Sequence, residues 1–576
     1  MPNFEKLSAA ANIARGLAMD AVQACASSHL GLPLGAAEIG AVLYGELLRH
    51  DPADPAWINR DRFLLSAGHG SMFLYAWLHL CGYPLSLDEI KRFRQWGSKT
   101  PGHPEFGHTP GVEATTGPLG QGVGNAVGQA VAAKMMAARF NTAEHAIFDH
   151  TIWALAGDGC MQEGVASEAG AMAGHFKLDT LILIYDSNYV TLDAMAVKSQ
   201  SEDTAKRFEA YGYEVLHLNK GNDLGEVYDV LARARASKSG KPRFVLAHTL
   251  IGKSIPEVAG TQKAHGEAGA KFVDQARRGL GLPEEKFWVP SEVKTFFAER
   301  REVLAATHAA WRETLAAWRA KNPDLSRQLD DANSLRVPDD LSAKIPSFAS
   351  DAKLATRKAS ETVLQVVAAE VPYLMGASAD LYGSTFNYIA ASTDWDEARA
   401  MVGLDVIRPA DPEETAGAWL AAIEHTGGPT VLALTRQAVP MLPGTPSAKG
   451  EGVLRGGYVL VQESAPLDTI LIATGSEVQH AVAAARELGP STRVVSFPCF
   501  SRFERQPPDY QESVLPSTCD RRVSVEAGVT FGWRTFVGTR GRMVGIDRYG
   551  ASAPGNVVTE AFGMTQSAVG AAARAL

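Results

Sequence analysis

Gly157-Asp158-Gly159-Cys160-Met161-Gln162-Glu163-Gly164, followed later by Asn188, is the stretch on which the reading of this chain turns. The run Thr151–Ala156 ahead of it is apolar enough for a buried strand, and Leu181–Tyr185 is a second such run. An Asp and an Asn therefore fall at the ends of neighbouring strands, flanking a glycine turn that opens a helix. Mg²⁺ takes oxygen ligands in an octahedron and is usually completed by substrate phosphates. Glycine lets backbone N–H groups approach a phosphate, and a helix N-terminus favours its charge. Asp158, Asn188 and a backbone carbonyl at Val190 would supply the protein side of such a shell. A bare Gly-Asp-Gly is commonly an ordinary loop; the strand before it and Asn188 after it give it weight.

The length of 576 residues suggests three or four domains with independent cores. Hydrophobic content of 46% and charged content of 21% are those of a globular chain. The net charge of −9 is mild for this length, and without a Lys/Arg block nucleic acid is not an expected partner. Met1–Leu17 mixes charges with apolar residues and has no signal-peptide core, and no apolar run reaches membrane-spanning length. Cys25, Cys81, Cys160, Cys499 and Cys519 are scattered without metal or disulfide spacing, which fits a reducing compartment. The expectation is a cytoplasmic protein with no membrane partner.

Along the chain, helical patterns alternate with short apolar runs up to Phe244–Thr249, the signature of a parallel α/β domain placed at 1–270. Residues 271–348 lack strand signals, hold a helical stretch at Ser291–Arg319 and end in a proline-containing connector, so they read as a linker. Residues 349–445 offer a helix at Arg357–Glu370, strands near Tyr373–Gly376, Val406–Ile407 and Thr430–Thr435, and a helix at Pro412–Glu424. These are few strands for a doubly wound domain with both faces covered. Residues 446–576 form a last α/β unit, with strands at Thr469–Thr474, Arg493–Ser496, Arg522–Glu526 and Met543–Ile546. The fold class expected is α/β, three domains with mainly parallel sheets, the second truncated.

His29, His69, His103, His108 and His265 all sit beside glycine or proline or in turn-like settings, hence on loops, where function concentrates. Imidazole exchanges protons near neutral pH and hydrogen-bonds phosphate or sugar oxygens. Each alone fits a structural histidine as well, and their spacing carries no zinc signature. Thr116-Gly117-Pro118-Leu119-Gly120-Gln121-Gly122-Val123-Gly124 is a second glycine loop, opening a small-residue helix over Asn125–Ala138 suited to a close interface. It is neither a nucleotide-hydrolase phosphate loop nor a dinucleotide fingerprint.

Taken together, these pieces resemble the transketolases, a family of thiamine diphosphate enzymes. The similarity begins at Ala18–Val22 and runs through Asp61–Ser71, Ser98–Glu105, Thr115–Gly122, the Gly157–Gly164 motif, Arg207–Gly212 and His265-Gly266. It resumes at Thr356–Ser360, Gly376–Leu381, Arg408–Asp411, Thr435–Gln437, Ala473–Glu477, Val525–Gly528 and Tyr549–Pro554. The resemblance implies transfer of a two-carbon ketol unit between sugar phosphates or simpler aldehydes in the pentose phosphate pathway. It implies a cytoplasmic homodimer with thiamine diphosphate and Mg²⁺, for which Ca²⁺ or Mn²⁺ substitute. By it, Asp158, Asn188 and the Val190 carbonyl hold the metal. His69, Gly159, Asn188 and His265 contact the diphosphate, and Gly117, Pro118 and Leu119 line the other end of the cofactor. His29, His69, His103 and His265 are the catalytic set. His29, His103 and His265 face the sugar hydroxyls, and Arg357, Ser378 and Arg436 grip its phosphate, a task suited to Arg.

Two departures are small: Leu30 where the family commonly has Pro, and Tyr189 where it has Gly, which adds bulk beside the metal. A third is large. Between Asn387 and Arg408 the family carries a long segment that includes the Glu activating the cofactor's aminopyrimidine ring, aromatics that stack on it, and donor-binding histidines; this chain is short there. Losing one positioned proton-transfer group typically costs about 10²–10⁴-fold in rate. Glu397 sits near the junction in an acidic setting that reads as a solvated loop, and Glu163 loses its partner across the subunit interface. Weakened or altered activity is therefore expected, and the remaining strands must re-pair. The alternatives are a cofactor-binding, non-catalytic regulatory or interaction homologue, and a thiamine-dependent dehydrogenase component, against which Ser98–Glu105 and Arg357–Ser360 speak.

Overall fold

The structure is a computed structural model that describes residues 2–267, 269–374, 376, 378, 381–389, 405–548 and 555–576. Glu397 and the Tyr549–Pro554 motif lie outside the described residues, as do Ala377, Ala379 and Asp380 of the Gly376–Leu381 motif. The chain divides into two compact units, Met1–Arg327 and Gln328–Leu576. Among the described residues no helix is long and apolar enough to cross a membrane.

The first unit is built on strands β1 (Arg62–Leu65), β2 (Ile152–Gly157), β3 (Leu181–Ser187), β4 (Glu214–Leu218) and β5 (Arg243–His248). They form one sheet in the order β1-β2-β3-β5-β4, every pair parallel. β2 and β3 are buried along their whole length, as expected of central strands covered by helices on both faces. Between β1 and β2 the glycine loop leads into a helix that runs Gln121–Phe140, longer at both ends than its small-residue stretch suggests. Gly122 lets this helix lie on the strand end: a Cβ there would stand 2.5 Å from Ser66 Cα. The motif after β2 makes a four-residue turn, Asp158–Met161, and the long helix begins only at Gly164. Helix Ser291–Lys321 buries Val293, Phe296 and Phe297 in the core of this unit.

In the second unit, β10 (Tyr458–Val461), β11 (Thr469–Ala473), β12 (Thr492–Ser496), β13 (Arg522–Val525) and β14 (Arg542–Val544) follow four short strands: β6 (Lys353–Ala355), β7 (Asp405–Ile407), β8 (Thr430–Leu432) and β9 (Ala438–Pro440). The larger sheet runs β10-β12-β11-β13-β14; β10 is antiparallel to β12, the other pairs parallel. The short strands pair off as antiparallel β6–β9 and parallel β7–β8. Among the described residues of 349–445, strand material thus forms two small ribbons rather than one wound sheet. The strand expected near Tyr373–Gly376 does not form: Tyr373 lies in a turn, and Tyr373 and Leu374 pack onto Val363, Val367 and Val371 of and after helix Thr356–Glu370. Apolar side chains that seal a helix face need no strand to hold them.

Helix Pro412–Glu424 is set by its cap. Asp411 accepts from the Glu414 N–H at 2.9 Å and proline occupies the first turn. The same carboxylate takes Lys449 at 2.6 Å, both side chains buried. Glu414 is fully buried beside it and accepts from Ala410 N–H, Tyr458 and Ser496. Burial, then the charge of Asp411, pushes its carboxyl up to about 7. A raised carboxyl gives stability that is present below the unfolded value and is lost as pH rises toward the folded one. Glu414→Gln keeps these partners without the titration. Urea unfolding of the native chain should lose on the order of 2 kcal/mol between pH 5 and 7.5 that the variant does not lose; equal slopes would refute the assignment.

Candidate functional site

All the elements that carry the site end at the same edge of the first sheet, the carboxyl ends of β1, β2, β3 and β5, where parallel sheets bind ligands. Beyond β1 a short turn, Gly68–Gly70, presents His69. Beyond β2 comes Asp158 and beyond β3 comes Asn188. A cavity of about 240 Å³ opens there, lined by His29, His69, His103, His265, Gly117, Leu119, Asp158, Gly159, Asn188 and Val190 among others. Pro118 is not on its wall. Gly117 has φ 149°, a backbone setting reserved for glycine, and its open face lies against the His103 ring, 3.3 Å from where a Cβ would stand.

Asp158 is buried, 3% exposed, and its oxygens accept from the Tyr185 hydroxyl at 2.8 Å and the Asn188 N–H at 3.1 Å. Burial pushes its carboxyl up to about 6. Asp186, fully buried next to it, is pushed up to about 7 by burial and by the charge of Asp158. Among the described residues neither is ion-paired with a Lys or Arg. Two buried carboxylates without a basic partner are costly unless a cation neutralises them. The donor set of carboxylate, amide and backbone oxygens suits a hard divalent ion. Asn188 Oδ1 accepts the Val190 N–H at 3.1 Å and keeps a second lone pair. These residues fit a cation bound with a phosphate. Tyr189 does not crowd them: its ring stacks on His248, at 5.6 Å and 10° between planes.

Three of the histidines, His29, His69 and His265, form one aromatic cluster. Ring centroids lie 4.6 Å apart for His69 and His265, 5.0 Å for His29 and His69, and 5.3 Å for His29 and His265. Burial, then repulsion from neighbouring histidines, holds His69 well below the imidazole range and brings His265 down to about 4. Burial likewise lowers His29 and His103. At neutral pH they are therefore neutral rings, each with one donor and one acceptor nitrogen. His108 sits apart from the cavity, its Nε2 hydrogen-bonded to the Ser98 carbonyl at 2.8 Å.

The remaining candidates belong to the second unit. Arg357 donates to the Ser384 carbonyl at 2.5 Å and lies over the Phe386 ring. Ser378 Oγ accepts from the Leu381 N–H at 2.9 Å. Arg436 is exposed on the wall of a second cavity of about 1090 Å³. Thr356 and Thr435, the residues preceding the two arginines, hydrogen-bond each other at 3.1 Å. Reading the sequence missed Tyr185, Asp186 and Thr249, which bond the metal-site candidates or each other. Their signal is positional: Tyr185 and Asp186 lie near the end of β3 just before Asn188, yet only the β3–β5 register brings Thr249 to Asp186.

Comparison with known proteins agrees with this geometry. Residues 7–338 match the family described as transketolase, thiamine diphosphate binding domain, and residues 456–565 the transketolase-like C-terminal domain. The match to the transketolase pyrimidine binding domain is confined to residues 396–441. A transketolase of Dictyostelium discoideum is 48% identical, covering 98% of each chain, over an alignment of 647 positions. That is longer than this chain of 576 residues, so the shortfall falls here. The solved transketolase of Leishmania mexicana superposes with a TM-score of 0.93 at 36% identity, covering 99% of this chain and 97% of its own. A transketolase of Pichia stipitis solved with sedoheptulose-7-phosphate gives 0.93 at 33% identity and the same coverage. The chain belongs to the transketolase family and is a transferase of that type.

Proposed function

We propose that this chain transfers a two-carbon ketol unit between sugar phosphates or simpler aldehydes with thiamine diphosphate and Mg²⁺, at a rate reduced or altered by its short middle region. The reading rests on one observation: Asp158, Asn188, Val190 and four histidines converge on a single cavity at the strand ends. It is supported by the Pichia stipitis relative, a transketolase in complex with sedoheptulose-7-phosphate. We further place it in the cytoplasm, as a homodimer, in the pentose phosphate pathway.

In this reading Asp158, Asn188 and the Val190 carbonyl hold the cation, Mg²⁺ or in its place Ca²⁺ or Mn²⁺. His69, Gly159, Asn188 and His265 meet the diphosphate; Gly117, Pro118 and Leu119 lie along the other end. Bound thiamine diphosphate supplies the stabilised carbanion that this chemistry needs. The chain's own residues do the rest. His29, His103 and His265, neutral at physiological pH, accept a proton from a sugar hydroxyl on one ring nitrogen and donate to an adjoining oxygen from the other. Their lowered basicity returns that proton readily. Arg357, Ser378 and Arg436 bind the sugar phosphate, the guanidinium planes matching its oxygens. The family's activating Glu segment is missing, so His265 or His103 is what this chain retains for the first proton removal.

The second reading, a cofactor-binding homologue that acts by pairing with a complete transketolase, is favoured by the same shortfall in the pyrimidine binding domain. Two measurements decide. Asp158→Ala should weaken thiamine diphosphate uptake in the presence of Mg²⁺ by about a hundredfold or more, since even outer partners of a metal cost about 10–100-fold; unchanged calorimetric affinity would remove the cation assignment. Ketol transfer by the purified chain alone should be slow but measurable. Turnover that appears only after mixing with a full-length relative would establish the partner role instead.

A further inference from the structure

Two consecutive residues at the carboxyl end of β5, His248 and Thr249, each grip a neighbour of Asn188. Thr249 Oγ1 donates to one oxygen of Asp186. The other oxygen of Asp186 accepts from Asn188 Nδ2 at 3.0 Å. This settles the amide. With its nitrogen turned to Asp186, Asn188 Oδ1 faces the other way, where it meets the Val190 N–H at 3.1 Å and retains a lone pair. An amide turned over would present N–H groups to a cation, which cannot bind them.

His248 acts on the main chain. Its Nδ1 shares a hydrogen bond of 2.9 Å with the Tyr189 hydroxyl, and the two rings stack. Tyr189 has φ 64°, a left-handed setting that is strained for a side chain such as tyrosine. The turn is tied at both ends: the Asn188 N–H reaches Asp158 at 3.1 Å, and the Tyr189 carbonyl accepts from Ala196 at 2.7 Å. With the Tyr189 side chain 54% exposed, little core packing is left to hold it; the stack on His248 is its anchor. The anchor itself is firm, because the His248 carbonyl accepts from Gly221 at 2.8 Å.

We propose that His248 and Thr249 are positioning residues that pre-set the 186–190 turn, so that Asn188 Oδ1 and the Val190 carbonyl meet the cation without rearrangement. The proposal rests on the cation reading above. Neither residue is on the cavity wall; each acts through the residue it holds.

The test is calorimetric titration of Mg²⁺ into the full chain with thiamine diphosphate present, a readout independent of turnover. Thr249→Val removes the hydroxyl at nearly constant volume and should raise the Mg²⁺ dissociation constant by about 10–100-fold, the usual cost of losing a partner behind a metal ligand. Thr249→Ser keeps the hydroxyl and should bind as the native chain does. His248→Phe keeps the ring stack but not the hydrogen bond and should weaken Mg²⁺ several-fold. Native affinity in Thr249→Val, or equal weakening in the Ser and Val variants, would overturn the proposal. Should Thr249→Val fail to fold by circular dichroism, His248→Phe decides alone: weaker Mg²⁺ with unchanged melting of the cofactor-free chain sustains it, native affinity ends it. A native chain that takes up neither cofactor nor Mg²⁺ would instead remove the functional reading, and this proposal with it.

Discussion

A carboxylate buried at the end of β2, with no basic side chain to meet it among the described residues, is the constraint around which the first unit is organised. Asp158 is 3% exposed, and what it has are hydrogen bonds: the Tyr185 hydroxyl and the Asn188 N–H. Such bonds offset part of the cost of leaving water but do not neutralise charge, and so its carboxyl stays high. A second buried carboxylate, Asp186, stands on the adjacent strand. Parallel strands make this arrangement, since every carboxyl end reaches the same edge and neighbouring loops bring their polar groups to one place. The histidines arrive by the same route, on loops that carry His29, His69, His103 and His265 to the same cavity. Close together and partly removed from water, they are held below the ordinary imidazole range.

The second unit shows how short strands pair off among the described residues. A parallel sheet stripped of central members exposes edges and helix faces. Here β6 and β9 close as one antiparallel ribbon and β7 and β8 as a parallel one, while the helix between β7 and β8, Pro412–Glu424, is anchored by the Asp411–Lys449 pair and the Glu414 hydrogen bonds. A buried ion pair adds little net stability by itself, but removing one partner is costly because it leaves the other charge uncompensated. Directly paired Val406 and Val431 remain 44% and 42% exposed on the outer face of the β7–β8 ribbon, the mark of a sheet that covers less than a full domain would.

Much of this was legible in the residues, for local reasons. Apolar runs end where strands end, so Asp158 and Asn188 could be placed at neighbouring strand termini, and helix Pro412–Glu424 could be bounded by its Asp-Pro start. Glycine and proline beside the histidines marked loops, although nothing local told which of them meet; His108, in the same kind of setting, points elsewhere. What stayed hidden depends on register. Thr249 reaches Asp186 only because β5 pairs with β3 so that His248 stands opposite Ser187, a relation between segments far apart in sequence. The antiparallel seat of β10 is likewise a choice of edge, and an apolar Tyr373–Leu374 reads as strand until a helix face is seen to claim it. Tyr189 looked like bulk beside a metal; its left-handed backbone turns the ring onto His248 instead.

The central claim is that a divalent cation is held at the joined ends of β2 and β3. Its most direct test is a crystal of the chain grown with thiamine diphosphate and Mn²⁺, examined for anomalous scattering. A peak within about 2–2.3 Å of an Asp158 carboxylate oxygen, Asn188 Oδ1 and the Val190 carbonyl is the predicted result. Cofactor bound with no peak there, or with the metal at another site, would contradict it.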